Sequence, residues 1–294
     1  MPALNPVVYN LEKWIEENKE YFLPPVCNKM MHEDGQMKVF CVGGPNQRKD
    51  YHIECGEELF YMIKGDMCLK VVEHGKHRDV VIKEGEIFLL PGKVAHSPQR
   101  QANTVGLVIE RERDECELDG LRYFQESSGV LKMDSLFEEW FHCTDLGTQL
   151  GPVIQKFFNS EQFKTGKPLP GTIPENPPVI LDSKVSLQNP FHLHSWIEEN
   201  RQKLDTDGHI QIFGDNYQFN VTIYGKGENT DCCANAEIWI WQLEGKSKII
   251  IEDNEYKLEK NDSILVRQGQ RYTGVRPEGS VALICYQDPT RIKS

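Results

Sequence analysis

The sequence predicts a mainly β protein: two small β-barrels in tandem, accompanied by a few short helices. Three features point there. The apolar runs are short, rich in β-branched and aromatic residues, and separated by Gly, Pro or Asn turns. The two halves of the chain repeat each other weakly and in order. One proline-rich break lies between them.

Taken along the chain, residues 37–42, 59–63, 67–72, 80–82, 87–90 and 105–109 read as strands of the first barrel. Residues 133–143 and 147–158 read as helical and close the first half. Residues 165–180 hold five prolines and two glycines, a composition that continues neither a helix nor a central strand. This gives a first domain over 1–164, a linker over 165–182 and a second domain over 183–294. The repeat supports the division. Trp14-Ile15-Glu16-Glu17-Asn18 recurs verbatim at 196–200, each copy on a short amphipathic helical pattern. The runs 60–65 and 82–90 are echoed by 240–245 and 258–266, so the offsets stay between 176 and 182. Duplication of one β-rich unit explains this.

Composition excludes several classes. The 294 residues carry 45 acidic groups against 33 Lys and Arg, a net charge of -12. That balance argues against nucleic acid or an anionic membrane as partner, because both recruit clustered Lys and Arg. With 39% hydrophobic and 27% charged residues, the chain reads as soluble and globular. No apolar run reaches the roughly 18–20 residues that span a bilayer. The start, Met1-Pro2-Ala3-Leu4-Asn5-Pro6, lacks the basic and apolar regions of a signal peptide. Nine cysteines without a Cys-x-x-Cys pair read as free thiols in the cytosol. The expected product is a cytoplasmic monomer with a small-molecule partner.

Chemistry concentrates in two stretches. In residues 48–60, strand alternation puts Arg48, Asp50, His52 and Glu54 on one face, and Gly56 allows a bend returning Glu58 beside His52. After the turn Pro91-Gly92, the same period aligns His96, Pro98 and Arg100. Two imidazoles and one carboxylate from adjacent strands make a 2-His-1-carboxylate set, which leaves positions open on an octahedral ion. Mn, Ni and Zn also accept these donors, so spacing alone names no metal. Glu54 competes with Glu58 as the carboxylate. His74 and His77 read as residues of an exposed hairpin loop, and His192 and His194 as a helix start.

The pattern His52-x-Glu54-x3-Glu58-x6-Gly65, then Gly85-x5-Pro91-x4-His96, resembles the two cupin motifs. Glu54 stands where cupins usually carry a second histidine, and Arg100 where they carry Asn. With those departures, residues 43–52 and 96–100 resemble the 3-hydroxyanthranilate 3,4-dioxygenase family in its animal, bicupin form. Residues 25–29, 118–123 and 145–150 resemble it too, so the likeness runs along nearly the whole chain. Bacterial members are single cupins with an additional cysteine-bound iron; this chain lacks those Cys pairs and carries a second barrel instead.

The resemblance implies a bicupin of two double-stranded β-helix barrels, with His52, Glu58 and His96 ligating Fe(II). It implies that Arg48 and Arg100 hold and polarise the substrate, Arg100 clamping its carboxylate. Glu110 would contact the substrate amine and accept a proton. On the strand it would share a side with Thr104, Gly106 and Val108, although Arg111-Glu112-Arg113 offers a solvated charge run as the alternative. The implied reaction is extradiol-type ring cleavage of 3-hydroxyanthranilate by dioxygen. Its product is 2-amino-3-carboxymuconate semialdehyde, precursor of quinolinate on the route from tryptophan to NAD. The alternatives are a cupin metalloenzyme with another substrate and a non-catalytic bicupin that binds small molecules. In the second repeat Cys232-Cys233 maps to His52 and Tyr272 to His96, so that barrel reads as a metal-free structural cover.

Overall fold

Alternation with a period of two decides the architecture. In the computed structural model, which describes residues 6–24, 27–32 and 34–291, Phe60 and Met62 of the strand Glu58–Lys64 point into one core while Leu59 points into another. The strand Ile238–Glu244 behaves alike: Ile238 and Ile240 face one core, Trp239 and Trp241 the other. Strands buried on both faces need layers on both sides, and four antiparallel sheets supply them. The leader reading of residues 1–5, and Pro25 and Val26 of the stretch 25–29, lie outside the described residues.

The first half builds two six-stranded sheets. One has the order Phe191–His192, Glu86–Leu90, Glu58–Lys64, Val105–Arg111, Met37–Gly43 and Asn28–His32. The other has the order Val130–Phe141, Asp119–Ser127, Tyr51–Ile53, His96–Arg100, Met67–Glu73 and Lys76–Ile82. Val42, Phe60, Met62, Leu69 and Phe88 fill the space between them. In the second half, Ile238, Ile240, Ile249, Ile264 and Tyr272 form the corresponding core. A third core joins the halves, with Leu59, Leu107 and Ile109 set against Trp239, Trp241 and Leu283. At about 1.5–3 kcal/mol per fully buried apolar side chain, this seam is a major part of the fold's stability.

The verbatim repeat has a structural counterpart. The strand Val8–Asn10 pairs with Asp262–Val266 of the second half, and Phe191–His192 pairs with Glu86–Leu90 of the first. Each half thus lends an edge strand to the other. Each lent strand runs directly into a helix, Leu11–Glu17 or Leu193–Glu199. Asn10 and His192 cap the two N-termini, accepting from Lys13 N and Ser195 N at 3.2 Å each. The repeated Asn closes both helices: Asn18 Nδ2 donates to Trp14 O at 2.7 Å, and Asn200 Nδ2 to Trp196 O at 2.8 Å.

Each stretch expected as a strand falls within one, while the helical expectation is half right. Residues 147–158 lie in the helix Leu146–Phe158, but 133–141 belong to the strand Val130–Phe141. That strand pairs with Asp119–Ser127 through two register shifts, which blur the alternation a strand would otherwise print in the sequence. Residues 166–190 contain neither helix nor strand, yet the segment is packed rather than free. Val179 joins the cluster around Tyr51 and Ile53, and Leu187 N donates to Glu73 Oε1 at 2.6 Å. His77 is another departure. It lies on the strand Lys76–Ile82, with its ring against Tyr51 and Phe124 at 5.6 and 4.9 Å.

Candidate metal centre

His52 and His96 stand directly opposite each other on adjacent antiparallel strands, their ring centroids 5.2 Å apart. Glu58 opens its strand on the facing sheet. The bend that brings it there depends on Gly92, where a Cβ would lie 2.2 Å from Cys55 O. Only glycine lets the loop before His96 press against the loop before Glu58, and Lys93 N donates to Glu54 O at 2.7 Å to fasten it. As a result His52, Glu54, Glu58 and His96 present donor atoms within 4.8 Å of one another, and all four are buried.

The tautomers point to a cation. His96 Nδ1 lies 3.0 Å from Val94 O, a carbonyl that can only accept, so the ring proton sits on Nδ1. That leaves Nε2 as a lone pair facing Glu58 Oε1 at 2.7 Å, an oxygen with no hydrogen-bond partner. Likewise His52 Nε2 lies 2.7 Å from Asp119 Oδ2, which leaves Nδ1 facing Glu54 Oε1 at 3.7 Å. Acceptors turned toward one another in a buried space repel unless a cation lies between them. Imidazoles that donate their other N–H to a carboxylate or carbonyl are the usual support for a metal ligand. Two imidazoles with carboxylate fit a mononuclear non-haem Fe(II) ion.

Electrostatics without an ion are correspondingly strained. Burial pushes the carboxyl groups of both Glu54 and Glu58 above the usual range and lowers His96. Burial acts on Asp119 too, but the bond to His52 and the nearby Arg113 outweigh it and hold its pKa at about 2. Arg113 was legible only as part of a solvated charge run; its side chain is in fact 6% exposed. Its guanidinium reaches Glu54 Oε2 at 2.7 Å, Glu110 Oε1 at 2.8 Å and Asp119 Oδ2 at 2.9 Å. Arg113 carries no local motif; Asp119 lies in the stretch 118–123 that resembles the family, the one signal that could have drawn attention to it.

A cavity of about 280 Å³ opens beside the cluster, just under the range for drug-sized ligands. Phe40, Val42, Phe60 and Val108 give it an apolar wall, and Leu150, Gly151 and Ile154 of the helix Leu146–Phe158 line it as well. Arg48, Arg100 and Glu110 line it. Arg100 is 3% exposed and its Nε is a buried donor without a partner. Glu110 Oε2 is also buried without a partner. Arg48 is partly committed, its Nε donating to Asp50 Oδ2 at 2.8 Å. Thr104 and Gly106, expected beside Glu110, do not reach the cavity.

Strand pairing also locates the second half's equivalents. Where His52 pairs His96, Asp231 pairs Tyr272, and Ile238 holds the place of Glu58. The residue matching His52 is therefore Asp231, one position before the Cys232-Cys233 pair that sequence counting selected. Asp231, Tyr272 and Ile238 do not repeat the His–Glu–His set.

Fold and site together define a β-sheet protein with a buried 2-His-1-carboxylate centre opening on an arginine-lined cavity. The family model described as 3-hydroxyanthranilic acid dioxygenase matches residues 3–158. The chain is 52% identical over 276 residues to the human 3-hydroxyanthranilate 3,4-dioxygenase, covering 94% of each chain. It is 49% identical over 271 residues to the same enzyme of Nematostella vectensis, covering 92% of this chain and 96% of that one. The chain belongs to the 3-hydroxyanthranilic acid dioxygenase family. A solved salicylate 1,2-dioxygenase from Pseudaminobacter salicylatoxidans overlays with a TM-score of 0.59, covering 96% of this chain and 84% of its own. At 11% identity that likeness concerns the fold alone.

Proposed function

We propose that the chain is an Fe(II)-dependent dioxygenase that opens the ring of 3-hydroxyanthranilate to 2-amino-3-carboxymuconate semialdehyde. The observation that carries this is the partnerless Arg100 Nε and Glu110 Oε2 beside the His–Glu–His cluster. A carboxylate and an amine on one small ring satisfy both. His52, Glu58 and His96 hold the iron, which supplies open positions for substrate and dioxygen and a path for electrons between them. Arg100 receives the substrate carboxylate through charge-assisted hydrogen bonds, with Arg48 adding positive charge. Burial lowers Arg100 to a pKa of about 10, still charged at neutral pH. Glu110 Oε2 accepts from the amine and takes up a proton, while Arg113 holds its other oxygen in place. Phe40, Phe60 and Val108 offer the ring an apolar wall that fixes its plane. The bond broken joins the hydroxyl-bearing carbon to its unsubstituted neighbour.

The same reading makes the chain a bicupin divided at 1–164, 165–182 and 183–294, with only the first barrel furnished for chemistry. The paired registers of the two halves support this. It also favours a monomer, since the second half covers an apolar sheet face of the first. The deciding experiment reconstitutes the protein with Fe(II) without oxygen, then adds 3-hydroxyanthranilate and air. Growth of the semialdehyde absorbance is expected; consumption of neither substrate nor oxygen by iron-loaded protein refutes the assignment.

A further inference from the structure

Contact between the halves is mostly apolar, and apolar contact is non-directional. Besides the lent strands, two buried polar patches interrupt it: in one, Glu237 of the second half accepts from Met37 N of the first at 2.9 Å, and the other surrounds Glu57. Glu57 immediately precedes Glu58 and is 7% exposed. Its two carboxylate oxygens accept main-chain N–H groups of the second half: Gln218 N on Oε1 and Phe219 N on Oε2, each at 2.9 Å. Its own carbonyl accepts from Gln287 Nε2 at 3.0 Å, again from the second half. The Gln218 side chain meanwhile accepts from Arg111 Nε at 2.9 Å, and Arg111 immediately follows Glu110. A few polar groups of the second half therefore grip the chain neighbours of both Glu58 and Glu110, the carboxylates that the first half turns toward the cavity.

Hydrogen bonds fix distance and direction as apolar packing does not. We propose that Glu57 is a positioning residue: through it, with Gln218 and Gln287, the second half sets where the strand Glu58–Lys64 begins and so where the Glu58 carboxylate meets His52 and His96. This gives the metal-free half a part in building the centre beyond covering a face. The inference rests on the metal reading above.

Binding of Co(II) to the metal-free full chain, followed by its visible absorption, tests this without relying on turnover. Glu57→Gln puts an amide N–H against a main-chain N–H, and Gln287→Ala removes the donor to the Glu57 carbonyl. Each is expected to weaken Co(II) binding about tenfold or more and to shift the ligand-field bands, the scale typical of groups that orient ligands. Trp241→Phe in the apolar seam serves as control, expected to lower Tm while leaving affinity within about twofold. If Glu57→Gln does not fold, Gln287→Ala decides alone. Parent-like affinity and spectra in the folded variants overturn the positioning role, with the metal reading intact. A parent chain that takes up no Co(II) overturns both.

Discussion

The two halves use one frame for opposite ends. The pair His52 and His96 occupies the register of Asp231 and Tyr272; Glu58 corresponds to Ile238, and Glu110 to Tyr286. Arg100 has a matching arginine, Arg276, but its setting differs. Arg276 donates to Gly225 O at 2.8 Å and Asn229 Oδ1 at 2.7 Å, and lies over the Tyr224 ring. Arg100 leaves Nε without a partner beside a cavity. At these matched positions the second half puts Ile238 in place of Glu58 and ties two nitrogens of Arg276, leaving its Nη1 without a partner. Unsatisfied buried groups cost stability unless a ligand or ion completes them.

The largest test of this contrast is His96→Ala. Loss of one of three proposed ligands is expected to remove stoichiometric iron and lower turnover by at least about a thousandfold. Elemental analysis alongside the ring-opening assay reads both, and iron at parental occupancy would falsify the ligand role. Arg100→Ala comes next. If Arg100 clamps the carboxylate, KM should rise about a hundredfold, as losing charge-assisted bonds of about 1.5–3 kcal/mol each implies, with iron content unchanged. An unaltered KM would remove Arg100 from substrate binding.

A reciprocal exchange probes the stability side. Glu58→Ile should make the metal-free protein more stable by about 1–3 kcal/mol, because it replaces a buried carboxylate whose Oε1 has no hydrogen-bond partner with the residue its counterpart uses. Ile238→Glu should cost at least about 3 kcal/mol, since Ile238 is 1% exposed within an aliphatic core. Urea titration of both metal-free variants measures the pair. Equal losses in the two would show that the halves are not specialised as argued.

Much of this contrast was legible in the sequence because it is local. His52, Glu58, His96 and Arg100 sit at fixed spacings on single strands and their turns, so alternation and one bend are enough to gather them. What escaped depends on pairing between distant segments. Asp119 reaches His52 because Leu121 pairs with His52 across the sheet, a relation no spacing records. Arg113 lies just beyond the end of its strand, so alternation gave it no face and composition made it look solvated. The strand Val130–Phe141 was read as helix because register shifts disturb its period. The lent edge strands escaped because their partners lie far along the chain, although their verbatim Trp-Ile-Glu-Glu-Asn sequels marked them as equivalent.

The seam itself gives the smallest effect. His32 lies where the halves meet, edge-on to Tyr9 of the lent strand at 5.2 Å, and its buried Nε2 has no partner. Burial, with Arg267 of the second half nearby, lowers its pKa to about 4. The unfolded chain, with its histidine near 6.5, therefore binds more protons between those values. His32's contribution is complete above about pH 6.5 and is lost as pH falls toward 4. Between pH 7.5 and 5 the expected loss is about 2 kcal/mol. Carboxylates add their own slope, so the comparison is with His32→Phe, which keeps a ring against Tyr9 and cannot take a proton. Urea titrations at both pH values should show the parent losing about 2 kcal/mol more than the variant. Parallel losses would mean that the seam tolerates a charge at His32, and that the halves meet there less tightly than the burial of its ring implies.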